Sequence, residues 1–385
     1  MLRTIFYEKK TRDLIFQILF VVLVGSLVYE FSSNAARNLK AQGIASGFGF
    51  MSETAGFSII QALIPYSEAS TYFDAFLVGL LNTLLVSGLG VAAATGAGFL
   101  IGIGRISRNF LISRVCLVYI EMVRNIPLLL QIFFWYFVVL RALPHPRQSY
   151  NLADAFFLNN RGFYVPALNF EPMFYWFWIP FVLFLAGFLF WKRRVEKREF
   201  EKNGSVSSKF TVHYAVFAGT GLLAAVFGNS LSFELPFLSG FNFRGGVSII
   251  PEFSALFLSL TIYTAGFIAE IVRSGIESVP KGQLEAAHAL GLKQGVILRK
   301  IVIPQALRVI IPPLTSQYLN LTKNSSLAAA IGYPELVSVF AGTALNQTGQ
   351  AVEIIVITMS VYMVISLSIS VGMNIYNKKM AIVER

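Results

Sequence analysis

Long apolar runs separated by shorter polar stretches make up most of the 385-residue chain. A bilayer-crossing helix needs about 20 mostly apolar residues, and runs of roughly that length begin near Leu14, Phe76, Val115, Met173, Val212, Phe253, Val309 and Val352. The pattern predicts an all-α, polytopic membrane protein with about eight transmembrane helices. Lys323, Asn324 and Ser325 interrupt the run from Val309, and a second apolar stretch follows from Leu327 to Ala341. That stretch reads either as a re-entrant segment or as an extension of the span. The segment from Phe31 to Asp74, polar and rich in Ser, Asn and Gly, predicts an external loop or small cap, too short for a domain. A second outer stretch, Arg141 to Pro172, combines Pro, Asn and aromatics, and Trp176, Trp178 and Trp191 flank the fourth run as interfacial anchors do.

Charge gives these runs a direction. An even number of spans puts both termini on one side, and the bias of Lys and Arg toward cytoplasmic loops chooses which. With the N-terminus inside, cytoplasmic segments hold 23 of the 31 basic residues: four before Leu14, three from Arg105 to Arg114, seven from Lys192 to Lys209, six from Arg273 to Arg308 and three after Tyr376. External loops hold Arg37, Lys40, Arg141, Arg147, Arg161 and Arg244, while Arg124 and Lys323 lie inside spans. The composition agrees with a bilayer protein: 55% of residues are hydrophobic and 13% charged, against roughly a quarter charged in soluble domains, and the mean hydropathy is +0.65. The net charge of +11 does not indicate nucleic acid, because the basic residues are not gathered into one patch. One cysteine, Cys116, and three scattered histidines, His145, His213 and His288, build neither a disulfide framework nor a metal cluster. Arg3, Lys9, Lys10 and Arg12 before an apolar run look like the start of a signal peptide. No small-residue cleavage site follows Gly25-Ser-Leu-Val-Tyr-Glu30, so the run reads as a retained first span.

Two local patterns stand out. The second run carries seven glycines between Gly79 and Gly104, with Gly98 and Gly102 at a spacing that lets helix backbones approach closely, and the reading is helix packing. The loop from Arg273 to Arg308 contains Ser278-Val-Pro-Lys-Gly-Gln-Leu-Glu-Ala-Ala-His-Ala-Leu-Gly291 and later Ile301-Val-Ile-Pro304. Ser278 can cap a helix, Pro280 suits its first turn, Ala286, Ala287 and Ala289 favour it, and Gly291 can end it in a left-handed conformation. A helix offering small alanines beside Glu285 suits a groove on another protein. A merely solvated loop has the same composition, which does not choose between the two.

The wording of this loop, Glu285-Ala286-Ala287, then Gly291, then Ile301-Val302-Ile303-Pro304, resembles the EAA loop of ABC importer permeases. Ile303 stands where leucine is usual, a small apolar exchange. Glu121-Met-Val-Arg-Asn-Ile-Pro-Leu-Leu-Leu-Gln131, Ser278-Val-Pro-Lys-Gly-Gln283, Pro304-Gln-Ala-Leu-Arg308 and Ile331-Gly-Tyr-Pro-Glu-Leu336 are similar to the polar amino-acid branch of those permeases, over roughly 76–140 and 253–376. The extra first span, long outer loops and inserted spans four and five resemble the general L-amino-acid permeases. The resemblance implies an ABC type I importer permease core with extra helices. On that reading, 1–75 is an N-terminal helix with an external loop, and 76–140 the first part of the core. Residues 141–211 are an external loop, inserted helix and cytoplasmic linker, and 212–252 an inserted helix and external loop. Residues 253–385 are the second part of the core, with a cytoplasmic coupling loop at 273–308.

The resemblance further implies that Glu285, Ala286, Ala287, Gly291 and Pro304 couple the chain to an ATPase. It implies two separate ATP-binding subunits that carry ATP and Mg, a second permease protomer, identical or paralogous, and a periplasmic amino-acid-binding protein. The setting is a bacterial inner membrane. The chain has no GxxxxGK[ST] phosphate loop, so no cofactor or catalytic residue is assigned to it. Substrate would move by alternating access. Intramembrane polar residues are costly and mark partners or water-filled paths. Arg124, three residues from Glu121, is a candidate for an amino-acid path, as are Gln317, Asn320 and Asn324, which share one helix face, and Lys323 near the outer end of that span. Asn82, Thr83, Gln131, Tyr263 and Thr264 could supply neutral partners. Interhelical hydrogen bonding explains each as well as ligand contact does. Glu121 with Arg124, and Glu270 with Arg273, read as structural ion pairs. An ion-coupled secondary carrier is the competing reading, and a membrane enzyme is a distant third.

Overall fold

A computed structural model describes residues 9–41, 47–170 and 231–380, with the isolated positions 187, 194 and 221. The runs predicted from Met173 and Val212, the tryptophan anchors and most of the 192–209 linker lie outside the described residues. The chain divides into two compact units, residues 1–133 with 256–385, and residues 134–255.

The first unit is helical. Helix α1 spans Lys9–Ala41, and after a short turn at Gly49–Ser52 helix α2 runs Tyr72–Arg105. Thr71 and Asp74 start α2 with a reciprocal cap: the Asp74 N–H donates to Thr71 Oγ1 and the Thr71 N–H donates to Asp74 Oδ2. Helix α3, Phe110–Asn125, begins where Asn109 Oδ1 accepts from the N–H groups of Leu111 and Ile112. Pro127 then ends it, because a proline supplies no N–H and crowds the preceding turn. The chain resumes in α4, Leu128–Phe133, at a bend of 104°. Helix α5 is Pro251–Glu277, α6 is Lys281–Ala289 and α7 is Gln294–Ile297. A wide π turn at Leu298–Val302 leads into α8, Ile303–Asn324. A 3-10 turn at Ser325–Ile331, a π turn at Val337–Ala344 and α9, Leu345–Thr348, precede α10, Ala351–Met380.

Among the described residues four helices are long and apolar enough to span: Thr11–Asn34, Tyr72–Arg105, Pro251–Glu277 and Ala351–Lys378. A fifth follows if the bent pair Phe110–Asn125 and Leu128–Leu140 counts as one. Helix α8 is not among them, since prolines, glutamines and hydroxyls dilute its apolar content. Glycines set the closest approaches. A Cβ on Gly98 would lie 2.6 Å from Ile268, and one on Gly102 would lie 2.7 Å from the Ala269 carbonyl, so α2 and α5 touch backbone to side chain there. Two turns further toward the C-terminal end of α5, a Cβ on Gly275 would clash with Ile310 of α8. The segment 47–71 packs Phe50, Ala55 and Phe57 against Tyr72, Phe340 and Ile354, closing one end of the unit.

The second unit departs from the expectation of an all-α chain. Its described residues hold eight short strands: β1 Tyr150–Leu152, β2 Phe156–Asn159, β3 Gly162–Val165, β4 Ala167–Phe170, β5 Leu231–Glu234, β6 Phe237–Ser239, β7 Asn242–Arg244 and β8 Val247–Ile249. Strands β1, β2, β3 and β8 form an antiparallel sheet in that order, while β4 pairs β5 and β6 pairs β7. The stretch read as an irregular outer loop has aromatic and β-branched clusters of three or four residues between turn residues such as Asp154, Asn160 and Gly240. That is strand chemistry at a length which a hydropathy run does not register. Gly162, at φ 138°, lets β3 lie against β8, since a Cβ there would strike the Ile249 carbonyl oxygen.

Candidate functional site

Residues 278–304 form a projecting bend between α5 and α8. The sequence placed a cap at Ser278, but its hydroxyl donates back to the Gly275 carbonyl and Pro280 holds the N-cap position of α6. The far end follows the expected rule. Gly291 is left-handed at φ 67°, its N–H donates to the His288 carbonyl and the Leu292 N–H donates to the Ala287 carbonyl, which closes the helix with paired reversed bonds. Ala287 and Ile297 are buried and anchor the segment, and Gln305 of α8 donates to Gln283 of α6. The outer face is different. Glu285, Ala286 and Ala289 are exposed, and Leu290, at 78% exposure, heads an apolar strip continued by Leu292, Val296 and Leu298. Glu285 has no hydrogen-bond or ionic partner among the described residues. Pro304 lies in the first turn of α8, directly after the π turn at Leu298–Val302.

The intramembrane candidates divide by what they bind. Asn82 and Thr83 are fully buried. Asn82 Nδ2 donates to the carbonyls of Gln61 and Pro334, both at 2.8 Å, and the Leu336 N–H donates to Thr83 Oγ1 at 3.0 Å. The Tyr333 hydroxyl adds a bond to the Asn82 carbonyl at 3.3 Å. These contacts fasten the 333–336 turn onto α2, and Gly79 gives it room, since a Cβ there would lie 3.0 Å from Leu336 Cα. Gln131 repairs the break at Pro127: its Nε2 donates to the Val123 and Ile126 carbonyls, each at 3.0 Å. The Val123 carbonyl would otherwise be orphaned, because residue 127 is proline.

Arg124 forms no ion pair with Glu121 among the described residues; its guanidinium lies 5.2 Å from the Phe267 ring centroid, and both charged groups are exposed. The expected Glu121–Arg124 pair is therefore replaced by a cation–π contact. Glu270 does accept from Arg273, with Nε at 3.1 Å and Nη2 at 2.5 Å, and Arg273 also reaches Glu277. Tyr263 packs at a tilt against Phe267 with ring centroids 4.9 Å apart, and Thr264 beside it is buried. Gln317, Asn320, Lys323 and Asn324 follow one another along α8, and none of their side chains has a partner among the described residues.

Sequence reasoning passed over Glu335. It is fully buried, and its carboxylate accepts from the N–H groups of Val337 and Ser338 at 2.8 and 2.7 Å and from the Tyr362 hydroxyl at 3.0 Å. One acid thereby caps the turn into 337–344 and ties it to α10. The available signal was an acidic residue in an apolar stretch just after a proline, a costly placement unless several donors surround it.

The family described as binding-protein-dependent transport system inner membrane component matches residues 94–382. A chain of Escherichia coli strain K12, YhdX, provisionally named an amino-acid ABC transporter permease protein, is 53% identical over 383 residues, covering 99% of this chain and 97% of its own length. The general L-amino acid transport system permease protein AapQ of Rhizobium johnstonii is 50% identical over 384 residues, with coverages of 100% and 96%. The glutamate/glutamine/aspartate/asparagine transport system permease protein BztB of Rhodobacter capsulatus is 37% identical over 414 residues, with coverages of 100% and 97%.

Proposed function

The chain belongs to the family of binding-protein-dependent transport system inner membrane components, and on that premise we propose that it is the permease subunit of an ATP-driven importer of amino acids. The names of its near full-length relatives support broad specificity for L-amino acids. In the bilayer the chain forms an ABC type I core of about eight spans, with both termini cytoplasmic. Two ATPase subunits, which hold ATP and Mg, dock on the 278–304 segment. A second permease protomer completes the path, and a periplasmic receptor delivers substrate.

The observation that carries this reading is the outer face of α6. A soluble loop has no use for a solvent-facing strip of Ala286, Ala289, Leu290 and Leu292 beside an unpaired Glu285, whereas a groove on a partner would bury the apolar strip and answer the charge. Movement of the docked ATPases is then passed to α5 and α8, which flank the segment and touch at Gly275. The two access states are coupled to ATP because the ATPases bind them differently.

Reconstitution of the chain with its ATPase, receptor and second permease tests the proposal. ATP-dependent uptake is expected, and Glu285→Lys or Gly291→Asp should abolish it while membrane insertion survives. Normal uptake in both variants would remove the coupling assignment. Ion-driven flux by this chain alone would instead make it a secondary carrier.

A further inference from the structure

The β6–β7 pair of the second unit carries an aromatic tip that its own chain leaves uncovered. Gly240, left-handed at φ 67°, and Phe241 form the turn between the paired residues Ser239 and Asn242. Phe243 seats the pair on the four-stranded sheet, its ring centroid 4.6 Å from that of Phe157 and 4.8 Å from that of Tyr164. Phe241 is 73% exposed. Two guanidinium groups flank it: that of Arg147 lies 4.6 Å from the ring centroid, and Nη1 of Arg161 donates to Asn242 Oδ1 at 2.5 Å and to the Phe241 carbonyl at 3.4 Å. Both arginines are exposed, and neither has an ion-pair partner among the described residues.

Short steps along the chain place this tip. Arg147 stands three residues beyond Pro144, and Pro144 four beyond Leu140, where the bent apolar pair ends. The Asn160 N–H donates to the Pro144 carbonyl, which brings Arg161 to the same point. Next to Arg161, β3 pairs Phe163 with Ile249, two residues before Pro251 opens α5. The tip therefore lies beside the ends of two apolar helices, on the side that the loop charges assign to the exterior. Four of the six basic residues of the outer loops, Arg141, Arg147, Arg161 and Arg244, belong to this unit. We infer that Phe241, Arg147 and Arg161 anchor the second unit on the bilayer, the ring entering the headgroup boundary and the guanidinium groups taking phospholipid phosphate oxygens. A bare ring is costly in water and an unpaired cation is costly in hydrocarbon, so the boundary between the two suits both. Phosphate also matches the planar guanidinium fork. A soluble partner would answer the charges as well, but the place of the tip at the helix ends favours lipid.

The test is spin labelling of the full chain, reconstituted with its partner subunits in vesicles of phosphatidylethanolamine and phosphatidylglycerol. In a Cys116→Ser background, which removes the one cysteine, the label is carried by Phe241→Cys or, as a reference at the far turn of the β1–β2 pair, by Asp154→Cys. Accessibility to oxygen relative to a water-soluble nickel chelate should be several-fold higher at 241 than at 154. Arg147→Gln with Arg161→Gln should bring the ratio at 241 down toward that at 154, and Arg147→Lys with Arg161→Lys should keep most of it. The comparison of 241 with 154 leaves both arginines in place, so it stands even where a double variant does not fold. Equal ratios at the two positions would overturn the inference, and so would low access of both reagents to 241, which would mean that a protein covers the tip. An unchanged ratio in the glutamine variant would overturn the phosphate contact. Protection from the chelate that appears only when the soluble receptor is added would overturn the anchor and assign the face to that receptor. Transport is not read, so the outcome is separate from that of the proposed function.

Discussion

The turn at 331–336 and the bend at 278–298 are both short non-spanning pieces between long helices, and they treat polarity in opposite ways. At the turn, Asn82, Thr83 and Glu335 are buried and nearly every bond they make goes to backbone. At the bend, Leu290 and Leu292 face solvent and Glu285 is unpaired. The first region draws its partners from its own chain, Asn82 Oδ1 excepted; the second leaves an apolar strip and a carboxylate that only the proposed partner would cover. The contrast is confined to these two places, since the spanning helices α1 and α10 also expose many apolar side chains.

Substitutions can break that contrast in graded fashion. The largest expected effect is from Glu285→Lys, which reverses an exposed charge on the face proposed to dock. If the partner's answering charge is buried with it, association should weaken by about 2–5 kcal/mol, read as lost co-purification of the ATPase while the melting temperature of the isolated chain stays put. Gly275→Val should act on the fold as well as on coupling, because a side chain there must displace Ile310. A cost of about 1–3 kcal/mol or more is expected, measured as a lower thermal midpoint in detergent together with slowed uptake. Gln131→Leu leaves the Val123 and Ile126 carbonyls unpaired and should cost about 1–3 kcal/mol of stability, with ATPase binding intact. A weakened ATPase contact in Gln131→Leu would blur the separation between the two regions. Glu270→Gln should be the mildest. Its pair with Arg273 is about a third exposed, so about 0–1 kcal/mol is expected, within the scatter of a melting curve.

What could be read from the sequence followed the range of the interactions. The ends of α6 were legible to within a few residues, because Pro280 and Gly291 act on their immediate neighbours. The close approach at Gly98 and Gly102 was legible from spacing alone. The work of Asn82 and Thr83 was not, since the groups they hold, Pro334 and Leu336, lie some 250 residues away. An asparagine in an apolar helix looks the same whether it awaits a ligand or a carbonyl. Gln131 could have been deduced, for a proline four residues before it announces an orphaned acceptor nearby. The small sheet was missed for a different reason: strands of three and four residues with pairing partners such as Phe163 and Ile249 on opposite sides of a long insertion have no local period to detect.

The contact at Gly275 has a mechanical consequence. With Ile310 seated where a side chain would be, and Gln283 tied to Gln305, α5, α6 and α8 are in direct contact at their junction, so a push on the short arm would reach α8 through packed groups. Helix α8, at 22 residues, is a lever of about 33 Å, so each degree of tilt carries its far end by about 0.6 Å. A stroke of a few degrees then suffices to shift Lys323 and its neighbours by more than the length of a covalent bond, and the gear ratio of the whole device is set by how far along the helix a residue sits.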